Sequence, residues 1–220
     1  MRLYYLTKFD TAKLILKERR MKLSLINELN DPFELLGASI GEKLARRVFK
    51  GILYRHWCKN LGMICFSDTW QNPVMWAHYG DKHYGVCLGF DVPDDLAKEV
   101  QYKPDRLKNM LDPTKPAAGL DVQKIEAVLL TKYRDWAYER ERRVFANLKK
   151  RDKNGKFYVD FGANMKLGSV ILGARCIASI PDMVKLVGKV EQPVEIWKAR
   201  AGFTKFEIVQ QRRVRKVTVR

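Results

Sequence analysis

Two glutamates one residue apart, Glu139 and Glu141 in Tyr138-Glu139-Arg140-Glu141-Arg142-Arg143, are the side chains whose type and spacing point most directly to chemistry. On a β-strand, residues two apart share a face, so both carboxylates would point one way and Arg140 and Arg142 the other. On a helix they would diverge. Two neighbouring carboxylates repel, raise one another's pKa, and can take complementary roles, one orienting a hydroxyl while the other opposes a developing positive charge. The same spacing also describes an alternating charged ladder on a solvated strand, so the pair is a candidate catalytic site with a plain structural alternative.

A second cluster lies upstream. Cys65-Phe66-Ser67-Asp68 is followed by Trp76-Ala77-His78-Tyr79 and by His83-Tyr84-Gly85, which crowds aromatic, hydroxyl and imidazole groups into a stretch containing Pro73 and Gly80. A stacking pocket for a flat ring would be written this way, and so would an aromatic piece of core. His56, Cys58, Cys65, His78, His83 and Cys87 do not fall into a compact zinc-ligand spacing. A Cys65 nucleophile with His78 as base lacks a third, orienting group that the sequence identifies. The chain has neither a P-loop nor a GxGxxG; Gly85-Val86-Cys87-Leu88-Gly89 reads as a strand with glycines.

The elements that must position these residues follow from periodicity. RLYYLT reads as a strand, and a helix capped at Asp10 or Thr11 leads to KERR; MKLSLI is a second strand. Asp31-Pro32-Phe33-Glu34 is a helix-start signature, with Asp31 as cap and Pro32 at the first position, for a helix region to about Lys59. LGMICFSD reads as a strand, PVMWAHYG as a turn or short helix, and HYGVCLGFD and EVQYKP as strands. Residues 104–120 form a loop before a helix spanning DVQKIEAVLLTKYRDW, and YERERRVF enters a strand. Strands near FYVDF and GSVILG, a helix over about 176–189, and strands VEIWKA, KFEIVQ and VRKVTV complete the chain. Many short strands with few, irregularly placed helices predict a single α+β domain over 1–220, with mostly antiparallel sheet and a few flanking helices.

The 220 residues carry 42 Lys and Arg against 25 Asp and Glu, a formal charge of +17. Such a field concentrates anions and makes nucleic acid, a phosphate-bearing ligand or an anionic surface the natural partner. The excess peaks where Arg212, Arg213, Arg215, Lys216 and Arg220 alternate with Val214, Val217 and Val219. That pattern also fits a basic edge strand, protected by its charge against strand addition. The four cysteines lack a CxxC and sit among apolar neighbours, as reduced thiols of a cytoplasmic protein would. No signal-peptide pattern or membrane-spanning apolar run is present in the sequence.

LYYLT, NDPFE, CFSDTW, MWAHYGDKHYGVCLGFD, KYRDWAYERERRVF and SVILGARC, in that order, resemble a mainly bacterial family, domain of unknown function number 2971. More distantly, the strand-helix-strand start, the segment Gly62-Met63-Ile64-Cys65-Phe66-Ser67-Asp68 and the late glutamates resemble the ADP-ribosyltransferase fold. That resemblance implies NAD as substrate, with Tyr5 where the first-strand His would stand and Tyr79 stacking on nicotinamide. It further implies Glu139 or Glu141 on the nicotinamide ribose, Arg2 on the pyrophosphate, and Ser67 and His78 within the cofactor site. Tyr5 in place of His, and Cys65 where an aromatic or polar residue is common, imply a different nucleotide ligand or lost activity. Three functions are therefore compatible with the sequence. They are an NAD-dependent transferase or glycohydrolase, a basic DNA- or RNA-binding module, and a partner in a bacterial defence or toxin system.

Overall fold

The fold was obtained as a computed structural model, which describes residues 1–29, 59–108 and 122–220 together with 31–33, 37–39, 41, 43, 46, 47, 51 and 110. Strand β1 (Arg2–Thr7) lies at the middle of a ten-stranded sheet. On one side it pairs antiparallel along its whole length with β5 (Val86–Asp91), which pairs antiparallel with β11 (Lys166–Leu172). β11 runs parallel to β12 (Val194–Ala201), and the parallel pair is joined through α4 (Ile180–Val187), as a parallel connection requires. Two short strands, β13 (Ile208–Gln210) and β14 (Val217–Val219), share the outer edge of β12.

On its other side β1 meets β4 (Leu61–Ser67), which pairs along its length with β9 (Glu141–Asn147); β6 (Ala97–Glu99) closes that edge. β3 (Ser24–Leu25) also pairs with β4. Outside this sheet, β2 (Arg20–Lys22) pairs with β10 (Tyr158–Asp160), and β7 (Gln101–Lys103) runs parallel to β8 (Thr131–Tyr133). The described chain is thus α+β, largely antiparallel, with few helices.

Alternation explains why the central strands read as nearly continuous apolar runs. On one face Leu3, Ile64, Phe66, Leu88, Phe90, Val170 and Ile196 meet α1 (Phe9–Glu18) through Ile15 and Leu16, and α4 through Met183. On the other face Leu6, Cys87, Ile171 and Trp197 pack under α2 (Pro73–His78) through Met75 and Trp76, and Met63 packs under α3 (Val122–Leu129) through Ile125, Val128 and Leu129. Both faces are covered, so residues of both parities are apolar.

Three expectations need correction. The helix expected over DVQKIEAVLLTKYRDW ends at Leu129, because Thr131–Tyr133 is captured as a strand by β7 and Arg134–Glu139 winds as a 3-10 helix. The strand expected from Tyr138 starts only at Glu141. MKLSLI is broken at Leu23, whose side chain is buried between β2 and β3. Most of the helix region expected to about Lys59 and most of the 104–120 loop lie outside the described residues, although Asp31 does accept a hydrogen bond from Phe33 N at 2.8 Å. Cys87 and Cys176 are buried free thiols and Cys65 is half-buried, while Cys58 lies outside the described residues.

Candidate functional site

β1 and β4 share a single paired position, Tyr4 with Ser67, and β3 takes up pairing with β4 only at Met63 and Gly62. Between those points the strands part. A cavity of about 250 Å³ occupies the gap, lined by Tyr5 from β1, Ser24 from β3, Cys65 and Ser67 from β4, and by Tyr79, Lys132, Glu139 and Glu141. Strand edges that part in this way favour ligand binding, since their backbone donors and acceptors still require partners.

Glu139 and Glu141 do come together, by a route other than strand alternation. Glu139 ends the 3-10 helix, Arg140 takes the left-handed conformation (φ 46°), and Glu141 opens β9. The turn swings Glu139 back toward its neighbour, and both carboxylates meet the ammonium of Lys132, at 2.6 and 3.0 Å. All three side chains are only 4–5 % exposed. Arg140, mostly exposed, forms an ion pair with Asp68 at 2.7 Å. Asp68 N also donates to Arg140 O at 3.1 Å, which fixes a backbone conformation that a non-glycine residue adopts at some cost.

The two acids are not equivalent. Glu141 shares its strand face with Arg143, whose buried guanidinium donates to it through Nε at 2.7 Å and Nη2 at 3.1 Å; the Cys65 thiol also hydrogen-bonds it. Burial pushes the Glu141 carboxyl up, but the charge and hydrogen bonds of Arg143, with Lys132, overcome it and hold the group down at about 2. Glu139 has no guanidinium beside it. Burial raises its carboxyl above the ordinary value, against the opposing pull of Lys132 and of the Tyr79 hydroxyl, which donates to Oε1 at 2.5 Å. Environment has separated two like groups into a fixed anion and a group able to take up a proton.

Three residues that sequence reasoning passed over build this arrangement. Lys132 was hidden inside the expected helix. Arg143 was legible: it stands two residues from Glu141 on a strand and so must share its face. Tyr102, on β7, accepts a hydrogen bond from Glu141 N at 2.8 Å and is pushed far above the ordinary phenol range, first by burial. Its only sequence signal was an aromatic in a short strand.

The remaining expected site residues divide. Tyr5 lines the cavity, with burial raising its phenol and its ring edge-on to Phe66. Ser67 lines it as well, but its hydroxyl donates to Glu139 O at 2.6 Å, so it holds the backbone that presents the acid. Tyr79 stands at the end of α2, whose start is capped by Asn72; that side chain also donates to Tyr138 O at 2.9 Å, tying α2 to the 3-10 helix. The following turn runs through three residues of positive φ, Asp81, Lys82 and His83, and is pinned by His83 stacked on Trp76. His78 is exposed, pairs with the Tyr138 hydroxyl at 3.1 Å and does not line the cavity. Arg2 also lies outside it, in a two-pronged ion pair with Asp91, both bonds at 2.9 Å. Among the described residues no group of three His, Cys, Asp or Glu side chains is placed to hold a metal ion.

Residues 75–144 match the sequence model of a family described as protein of unknown function (DUF2971). Over that stretch the chain carries the DUF2971 pattern. No curated protein and no solved structure matches the chain. The DUF2971 segment runs from Met75 in α2 to Val144 in β9, and so contains Tyr79, Tyr102, Lys132, Glu139, Glu141 and Arg143. Tyr5, Ser67 and the parted edge of β1 lie before it. A second cavity of about 280 Å³ is lined by Phe33, Lys103, Arg106 and Tyr133 among others, and Lys132 contributes to the lining of both. No helix of the described residues is long and apolar enough to cross a membrane.

Proposed function

We propose that the cleft between β1 and β4 receives the nicotinamide–ribose end of NAD and that the protein opens its nicotinamide–ribose bond, passing the ribosyl group to water or to an acceptor. The observation that carries the reading is the unequal pair of acids on the cleft wall, Glu139 raised and Glu141 lowered, in a gap where two strand edges part. The C–N bond breaks with its electron pair leaving on nicotinamide, and an oxocarbenium-like cation forms at the ribose. Glu139 accepts a ribose hydroxyl in the ground state. It then takes the proton of the water or acceptor hydroxyl that attacks the cation, a role that a raised carboxyl pKa suits. Glu141 stays ionised at neutral pH and offsets the charge of Lys132 and Arg143, so the cleft does not present an uncompensated cation to a cationic transition state. Tyr79 holds Glu139 in position and offers its ring to the leaving nicotinamide.

The deciding experiment is nicotinamide release from NAD by the wild-type protein and by Glu139→Gln, with and without RNA, DNA and protein from a cell extract. Gln keeps the shape and loses the proton acceptor, so release should fall at least about 100-fold, the lower bound for loss of a general base. A single cooperative urea transition in both proteins would show that the fold persists. No release by the wild type under any of these conditions would end the NAD reading and leave the cluster as a paired structural network.

A further inference from the structure

The outer edge of β12 carries features that the cleft does not use. Residues 202–207, the hairpin joining β12 to β13, project Phe203 and Phe206 with relative exposures of 89 % and 103 %. Burial of apolar rings is favourable, so two of them held in solvent on one short turn point to a partner. The turn is built, with Gly202 N donating to Glu207 O at 2.8 Å and Glu207 N to Lys205 O at 2.9 Å. The Arg200 guanidinium lies 4.1 Å from the Phe203 ring centre, and its Nη1 donates to Ala201 O at 2.7 Å.

The next loop along the same edge joins β13 to β14 and exposes Arg212, Arg213 and Arg215. It is anchored by Gln211 N donating to Lys198 O at 2.7 Å and Val214 N to Gln211 O at 3.1 Å. β13 pairs with the end of β12 and β14 with its start, so the aromatic turn and the basic loop follow one another along a single strand. The step from Lys198, which anchors the basic loop, to Phe203 is roughly 17 Å of extended chain.

We propose that this edge binds single-stranded nucleic acid, with unpaired bases stacking on Phe203 and Phe206 and phosphates held by Arg212, Arg213 and Arg215. Rings standing out of a turn can be stacked on only by bases whose faces are free, which excludes an intact duplex. The loop uses arginine, whose planar fork suits phosphate oxygens. The proposal does not rest on the NAD reading, because none of these residues lines the cleft.

The measurement is fluorescence anisotropy of a labelled oligothymidylate of about 12 nucleotides over a salt series, with a duplex of the same length and phosphatidylserine vesicles as competitors. The wild type should bind the single strand, and the duplex should compete poorly. Phe203→Ala/Phe206→Ala should weaken binding at least about tenfold with the salt slope unchanged, as expected for lost stacking. Arg212→Gln/Arg213→Gln/Arg215→Gln should reduce the slope by about 2, from about 0.7 per phosphate contact. All five residues are exposed, so both variants should keep the wild-type urea midpoint. Absence of binding, equal affinity for duplex, displacement by vesicles alone, or indifference to the phenylalanine pair would each overturn the proposal.

Discussion

The charged cluster at the cleft and the charged edge of β12 use the same residue types under opposite rules. At Lys132, Glu139, Glu141 and Arg143 each charge is buried and matched by named partners at hydrogen-bond distance. At Arg212, Arg213, Arg215 and Arg220 the charges are exposed, and of that stretch Lys216 alone forms an ion pair, to Glu195, among the described residues. Desolvation makes the first set interdependent, since removing one member strands the others in a poorly hydrated place. Water and salt make the second set nearly independent in folding, so its charge is available to a partner.

The strongest way to break this contrast is Lys132→Met. It should cost about 3–5 kcal/mol in urea unfolding, because Glu139 is then buried beside a second carboxylate with no cation of its own, while Arg143 still holds Glu141. A loss under about 1 kcal/mol would mean that the cluster is hydrated and the contrast mistaken.

Ser67→Ala comes next. Deleting the hydroxyl that donates to Glu139 O should cost about 1–3 kcal/mol by leaving a buried carbonyl unsatisfied. It should also impair nicotinamide release beyond what the stability loss explains.

The pH dependence sharpens the difference within the cluster. Glu141 is depressed on folding, so its contribution is complete above the unfolded carboxyl value, about 4.3, and is lost as pH falls through about 2. Glu139 is raised, so its contribution is complete below the unfolded value and is lost as pH rises through its folded value. Urea midpoints against pH should therefore show Glu141→Gln flattening the acid limb and Glu139→Gln flattening the limb above it. Matching profiles for the two variants would remove the inequality on which the proposed chemistry stands.

The smallest effect is expected at the edge. The triple replacement of Arg212, Arg213 and Arg215 by Gln should change unfolding stability by no more than about 0.5 kcal/mol. A larger loss would show these charges to be part of the fold.

Sequence reasoning located the acids and the strands because both depend on local signals: LGMICFS and VCLGFD are dense in apolar residues, and the glutamate pair stands out by type. It placed the basic residues beside an edge strand, and β14 is one. The mechanism of convergence was not local. Lys132 reaches the acids because β8 pairs with β7, a contact between distant segments that pulls Thr131–Tyr133 out of an amphipathic run that otherwise reads as helix. The left-handed turn at Arg140 had no signal, since arginine has no special preference for that conformation. β1 parts from β4 after Tyr4 and β3 takes the same edge only at Met63 and Gly62, an arrangement that no residue type encodes directly.

The central position of β1 has a consequence for how the chain reaches this state. Its neighbours come from Leu61–Ser67 and Val86–Asp91, and β5 is completed in turn by Lys166–Leu172. During synthesis β1 must therefore wait with both edges unpaired until Asp91 has emerged, and the outer edge of β5 waits further, until Leu172. Pairings this distant fold slowly and leave an exposed template for association with other chains. Yield on expression should depend on protecting Arg2–Thr7 while it waits, as well as on the stability of the finished sheet.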